Sequence, residues 1–289
     1  MSERCWGWGE SMSGGSVSAG EPLAWLKAAL WQQYGLAAGD LTAVPGGLVN
    51  RAHRAGDWFV KVYDTAAVPA AAAERSIRLH AFLAERGAAV PKVARSVSGE
   101  PLARAGGHVV AVMEWVSGQS LDPARVTPAD PAQAGRLLAA VHDLGSAFGE
   151  CPGRSRARSR WERSGTTGPP FRSRLAASPA TAFDRGIAKT AQSVRTLPEA
   201  ALERLAAATG TWGLCHRAFH GGNVLASGDR RWVVDFDNAG YSHREVEVLT
   251  AWNLLAAGDA AEPAWRAAGA AFVAAYQQER RGSLAPARH

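Results

Sequence analysis

A lysine inside an apolar strand, and an asparagine and an aspartate twelve residues apart, are the residues of this sequence best suited to chemistry on phosphate. Lys61 sits in "WFVKVY" between Val60 and Val62. A strand lysine usually points to water, and one with such neighbours needs an anionic partner, because an unpaired ammonium is costly where water is scarce. Asn223 lies in "HRAFHGGNVL", and Asp235 ends the strand "RRWVVD". An amide oxygen and a carboxylate are the hard ligands that Mg2+ prefers, with phosphate oxygens and water completing its octahedron. Asp235 follows Val233 and Val234 out of the core, so its charge needs a cation nearby. Asp237, two residues on, fits a carboxylate that caps a turn better than Asp235 does.

Two more features stand in the same order along the chain. "PGGLVN", residues 45–50, is a turn in which Gly46 and Gly47 let backbone amides approach phosphate oxygens, although Pro-Gly-Gly also makes an ordinary hairpin. Glu74, on the helix after the lysine strand, is able to pair with Lys61 and fix its ammonium against a phosphate; a solvated helix face is its other reading. His216 and His220 beside Cys215 have the residue types of a zinc site. Gly221-Gly222 makes that stretch a loop rather than the helix that would put both histidines on one face.

These residues need a scaffold, and the periodicity describes one. "EPLAWLKAALWQQYGL" is a helix with Leu23, Leu26, Leu30 and Trp31 on one stripe. Strands follow around the Pro45 and Gly56-Asp57 turns, with Trp58, Val60 and Val62 on one face of "WFVKVY" and Phe59, Lys61 and Tyr63 on the other. An Ala-rich helix runs from about Pro69 to Arg86 and stops at Gly87. "HVVAVMEWV" is a central strand, apolar on both faces. Beyond Gly118 the pattern turns helical. "DPAQAGRLLAAVHDL" carries Leu137, Leu138, Val141 and Leu144 inward, helices follow around 177–193, 198–208 and 244–278, and "RRWVVDFD" is a strand. The expected organisation is a flexible tail over 1–20, a smaller sheet lobe over 21–117, and a larger helical lobe over 118–289. The second lobe is interrupted by a Gly/Pro/Ser/Arg-rich loop at 150–175.

Bulk properties bound the function classes. The 289 residues, 47% hydrophobic and 20% charged, describe an ordinary globular protein with no apolar run long enough for a membrane span. The N-terminus lacks the cationic start and apolar stretch of a secretory signal. Three cysteines without ligand spacing suit a reducing, cytoplasmic setting. The net charge of +6 comes largely from Arg154, Arg156, Arg158, Arg160, Arg163, Arg172 and Arg174. No recognition motif and few aromatics accompany them, which argues for a solvated loop and against a nucleic-acid partner.

Taken together, these segments resemble the aminoglycoside phosphotransferase and choline kinase family, small-molecule relatives of the protein kinases, over about residues 21 to 278. "GGLVNRAHRAGDWFVKVYD" resembles the family's nucleotide loop and lysine strand. "VMEWVSG" resembles the hinge that bonds adenine through backbone groups of Glu114 and Val116. His216, Arg217, His220 and Asn223 match the loop His-Gly/Arg-Asp-x-His-x-x-Asn, and Asp235 and Asp237 match the Asp-x-Asp that follows it. Glu247, in "AGYSHREVEVL", stands where the family usually has a structural aspartate. The resemblance implies an α+β, two-lobed protein-kinase-like fold, with an antiparallel sheet lobe bearing one helix and a larger helical lobe. It assigns Lys61 and Glu74 to the phosphates of ATP (or GTP), Asn223 and Asp235 to Mg2+, and Asp237 to metal or substrate.

The departure is Ala218, at the position of the aspartate that orients the acceptor hydroxyl and takes its proton. A methyl group does neither, and loss of a general base costs about 10²–10⁴-fold in rate. Three explanations stand: an engineered replacement, favoured because every other loop feature is intact; a naturally inactive homologue; or another residue acting instead. The expected activity is transfer of the γ-phosphate to a hydroxyl of a small molecule, impaired in this chain, by a monomer or homodimer. The alternative is a non-catalytic nucleotide-binding pseudokinase acting through partners. The expected acceptor is an antibiotic, sugar, nucleoside or related natural product. From residue 120 onward Lys and Arg outnumber Asp and Glu by 21 to 16, which does not favour a polycation, and a neutral or anionic compound fits at least as well.

Overall fold

The computed structural model describes residues 23–45, 50–65, 68–121, 129–149, 212–255 and 262–283. The tail over 1–20, Gly46 and Gly47, the Arg-rich 150–175 segment and the helices expected at 177–193 and 198–208 lie outside the described residues. By compactness the chain divides into two units, Met1–Asp122 with Gly221–Ala239, and Pro123–His220 with Gly240–His289.

The first unit is built on a five-stranded antiparallel sheet. Its strands are β1 (Thr42–Ala43), β2 (Arg51–Ala55), β3 (Trp58–Tyr63), β4 (Ala103–Ala105) and β5 (His108–Glu114), in the order β1-β2-β3-β5-β4. Ala55 pairs with Trp58, so Gly56 and Asp57 alone make the β2–β3 turn, and Gly56 takes the positive φ of 60° that such a turn requires. The sheet is covered twice. Helix α1 (Ala24–Tyr34) lays Leu26 and Leu30 on Val60, Val62, Val110 and Val112. Helix α2 (Ala70–Glu85) lays Ala73 and Ile77 on Tyr63, Val109, Ala111 and Met113. That double cover explains why β5 is apolar on both faces.

Trp31 departs from the expected α1 stripe. It lies about 100° round the helix from Leu30, and its side chain is 63% exposed. The same unit takes in a second, three-stranded sheet in the order β6-β8-β9, where β6 is Gln119–Ser120, β8 Val224–Ser227 and β9 Arg230–Val233. Val116, Leu225 and Val234 form its buried cluster. Segment 221–239, expected as part of the second lobe, therefore packs with the first unit, drawn there by the β6–β8 ladder and by the Val233 N–H, which donates to the Ala89 carbonyl (2.9 Å).

The second unit holds α3 (Asp130–Gly145), the antiparallel ribbon of β7 (Trp212–Cys215) and β10 (Gly240–His243), α4 (Arg244–Leu255) and α5 (Glu262–Ser283). Pro131 opens α3 at a position where its missing N–H costs nothing. Gly135 allows α3 to meet α5 backbone to backbone, since a Cβ there would lie 2.2 Å from the Phe272 carbonyl oxygen. Of the leucines and valine expected inward on α3, Leu138 and Val141 are buried, while Leu137 and Leu144 are only half-buried. The buried face is rotated toward Ala134, Gly135 and His142.

Candidate active site

Strand alternation puts Lys61 on the α2 face of the first unit's sheet, between Phe59 and Tyr63. Beyond β9 the chain reverses at Asp235, whose φ of 64° lies in the left-handed region, and Phe236 is buried with its ring 5.2 Å from that of His80. A non-glycine residue held in that region carries conformational strain, of the kind that concentrates at working sites. The reversal brings two carboxylates to the lysine. Lys61 Nζ lies 2.9 Å from Asp235 Oδ1 and 2.7 Å from Asp237 Oδ2.

Asp237 also accepts hydrogen bonds from Tyr63 Oη (2.8 Å) and Ser76 Oγ (3.1 Å) at Oδ1, and from Asn50 Nδ2 (2.6 Å) at Oδ2. The Lys61 side chain is 12% exposed, that of Asp237 23%, and that of Asp235 46%. Burial works against the charge on Lys61, but Tyr63, Asp235 and Asp237 overcome it and carry the ammonium above its ordinary 10.5. Burial likewise pushes the Tyr63 phenol upward, so it stays a donor to Asp237.

Glu74 is placed elsewhere. It pairs with Arg104 of β4, and the expected Lys61–Glu74 ion pair does not form. The α2 residue that meets one of the lysine's carboxylates, Asp237, is Ser76, and Glu74, two positions earlier, lies about 200° away round the helix.

Asn223 is brought beside Asp235 by the β8–β9 hairpin. It ends the single 3-10 turn Gly221–Asn223, is buried, and its carbonyl accepts the Val234 N–H (3.0 Å). Gly221 fits there because a Cβ would stand 2.2 Å from the Leu121 carbonyl oxygen, and the Leu121 N–H in turn donates to the Gly221 and Val224 carbonyls (both 3.0 Å). One amide and one half-exposed carboxylate, on chain segments joined by a backbone hydrogen bond, are a donor set that fits a hard divalent cation.

At the end of β5 the Glu114 N–H donates to the Lys92 carbonyl (2.8 Å), the Trp115 N–H to the Asp57 carbonyl (2.8 Å) and the Gly118 N–H to the Val116 carbonyl (2.9 Å). The Glu114 carbonyl and Val116 N–H, the two groups an adenine hinge employs, are different atoms from these. The observed bonds therefore stiffen the strand end without competing for a base.

In the second unit, "CHRAFH" runs off β7 as a loop whose backbone is held by one buried carboxylate. Glu247 of α4 accepts the N–H of His216 (2.9 Å), the N–H of Arg217 and the Nε2–H of His142 (2.8 Å). Arg217 has φ 63°. The imidazole of His216 is fully buried, and its Nδ1 faces the Ala218 N–H at 3.3 Å. Burial would raise the Glu247 carboxyl, but His142, His216 and the Arg217 amide prevail and hold it below 4.5.

The ribbon is tight enough that a Cβ on Gly213 would overlap the Arg244 guanidinium. His142 also meets Tyr276 Oη through Nδ1 (2.8 Å), and its carbonyl accepts from Arg244 (2.8 Å). Among the described residues, Cys215 gathers with His142 and Glu247 rather than with His216 and His220. Its thiol, raised by burial and by Glu247, points to the Gly213 and Ser242 carbonyls, so the group reads as a hydrogen-bonded cluster.

The sequence reading missed Asn50, Tyr63, Ser76 and His142. Asn50 carried a local signal in its place directly after the glycine turn, and Tyr63 in sharing a strand face with Lys61.

The sequence profile of the phosphotransferase enzyme family matches residues 40–286. Among solved structures, the chain is similar to the amicoumacin kinase hAmiN, solved with AMP-PNP, Ca2+ and Ami, at 16% identity and a TM-score of 0.62, over 89% of this chain and 77% of that one. It is similar to a microcompartment-associated aminopropanol kinase at 18% identity and a TM-score of 0.58, over 90% and 81% of the two chains. A choline/ethanolamine kinase family protein from Mesorhizobium loti matches at 20% identity and a TM-score of 0.51, over 88% and 81%. At these identities the likeness is one of fold, and the fold is the kinase-like α+β fold expected from the sequence. No curated protein sequence matches significantly. No helix among the described residues is long and apolar enough to cross a membrane.

Proposed function

This chain belongs to the phosphotransferase enzyme family, and on that premise we propose that it binds ATP (or GTP) with Mg2+ and is built to pass the γ-phosphoryl group to a hydroxyl of a small molecule. The observation that carries this reading is the Lys61 ammonium, almost buried and charged, held at 2.9 Å from the carboxylate that shares its segment with Asn223. A desolvated cation beside hard oxygen ligands is an arrangement for an anion that arrives with a metal. Lys61 supplies the positive charge that orients the phosphates, and the strand end at Glu114 and Val116 offers the backbone edge for the base. Asn223 and Asp235 would hold Mg2+, which neutralises phosphate charge when bound. Gly46 and Gly47 would close over the phosphates with their amides. The amicoumacin and aminopropanol kinases support a small-molecule acceptor, and the basic balance beyond residue 120 suits one that is neutral or anionic.

Ala218 is the weak link. The loop that should present a proton acceptor keeps its backbone ties to Glu247, yet ends in a methyl group. Turnover in this chain is therefore low, by about the 10²–10⁴-fold that a general base contributes, while binding persists. The same observation favours a second reading, a nucleotide-binding pseudokinase that works through partners in the cytoplasm.

Two measurements decide. Mg-ATP at a hundred times its Kd is expected to stabilise the protein by about 2.7 kcal/mol, and no shift in melting temperature sinks the nucleotide reading. Ala218→Asp, screened against a panel of hydroxyl compounds by ADP release, is expected to restore turnover with at least one of them. Binding without turnover in that variant transfers the case to the pseudokinase.

A further inference from the structure

We propose that Asp237 is the carboxylate that positions Lys61 for phosphate, in the place the sequence gives to the helix glutamate, and that it ligates no metal. The inference rests on the nucleotide-binding reading above and names a residue role within it. An ionised carboxylate has about four lone-pair positions, and Asp237 has four donors. These are Tyr63 Oη and Ser76 Oγ on Oδ1, and Asn50 Nδ2 and Lys61 Nζ on Oδ2. They arrive from three directions, the approach to β2, strand β3 and helix α2. A carboxylate so occupied has no oxygen to offer a cation.

Asp235 shares the lysine with Asp237 but differs in its other surroundings. It bonds Lys61 through Oδ1, is twice as exposed as Asp237, and adjoins Asn223. The two aspartates thus divide the work. Asp235 is shared between lysine and metal, and Asp237 keeps the ammonium aimed when a metal draws Asp235 away. The link from Lys61 to α2 runs through Ser76 and Asp237, since Glu74 is engaged by Arg104.

The test compares Asp237→Asn, Asp235→Asn and Glu74→Gln in the full chain. It reads ATP affinity by calorimetry in Mg2+ and again in EDTA, together with acylation of Lys61 in the ligand-free protein by mass spectrometry. Asp237→Asn is expected to weaken ATP about tenfold in both conditions and to raise Lys61 acylation. Asp235→Asn is expected to act chiefly in Mg2+, and Glu74→Gln to change neither readout. A loss in Asp237→Asn confined to Mg2+ makes Asp237 a metal ligand and overturns the proposal, as does a Glu74→Gln variant that matches Asp237→Asn in EDTA.

Should Asp237→Asn fail to fold, Tyr63→Phe and Ser76→Ala each remove one donor and keep the charge. Both are expected to weaken ATP about threefold in EDTA and to raise acylation, and unchanged values refute the anchor. If the parent chain binds no ATP at all, the functional reading falls, while the acylation series still decides which carboxylate holds Lys61.

Discussion

Replacing Glu247 by glutamine changes one oxygen of a carboxylate that three N–H groups share. In the parent, His216 N, Arg217 N and His142 Nε2 all donate to it inside the second unit, where the side chain is nearly inaccessible. An amide carbonyl accepts two of these and turns its own NH2 toward the third. Two bonds fall from charge-assisted to neutral strength, about 1 kcal/mol each, and one buried donor is left unpaired at about 2 kcal/mol. The sum is about 4 kcal/mol, which in a chain of 289 residues lowers the melting temperature by about 7 °C.

The pH dependence has a definite sign. The folded carboxyl lies below its ordinary 4.5, so its contribution is complete above that value and is lost as pH falls through the folded pKa. Scanning calorimetry of parent and Glu247→Gln should thus show the full gap at pH 7 and a closing gap under pH 4. A gap under 2 °C at neutral pH, or one that widens in acid, refutes the assignment of Glu247 as the anionic tie of the loop. Glu247→Asp, which keeps the charge but retracts it by one methylene, should fall between the two.

Gly221→Ala places a methyl 2.2 Å from the Leu121 carbonyl oxygen. It should cost about 1–3 kcal/mol and, by shifting Asn223, remove the Mg2+-dependent part of ATP stabilisation while leaving the metal-free part intact, as thermal shifts with and without EDTA will show. Lys61 has a folded pKa above 10.5, so its stabilisation is complete below that pH and is lost as pH climbs through the folded value. Lys61→Met should lack this alkaline loss in urea titrations from pH 8 to 12. At pH 7 it should be less stable by about 2 kcal/mol, a buried-pair cost discounted for the exposure of Asp235.

What could be read in the sequence was whatever local order determines. Lys61 between valines, Asn223 after two glycines and Asp235 at a strand end each stand out within a few residues as candidates. The α2 helix, observed at Ala70–Glu85, and the apolar β5 strand were legible for the same reason. The partner of Lys61 was not. Glu74 is near in sequence, but Asp237, some 174 residues beyond Tyr63, is the carboxylate delivered by the chain reversal at Asp235.

The four-residue strands β7 and β10 also escaped, because "WGLC" and "GYSH" are too short and too glycine-bearing to show alternation. His142 read as one more helical position. Its burial is set by Glu247 and Tyr276, both more than a hundred positions away.

The first unit is discontinuous, with residues 123–220 intervening before Gly221–Ala239 returns to it. Bridging an excursion of roughly a hundred residues costs about 4 kcal/mol of closure entropy, and on a ribosome it also costs time. The sheet from Thr42 to Glu114 emerges first, with Lys61 on its α2 face and neither of its carboxylates yet synthesised. Until Asp235 and Asp237 clear the exit tunnel, that ammonium lacks both carboxylates that pair with it in the folded chain.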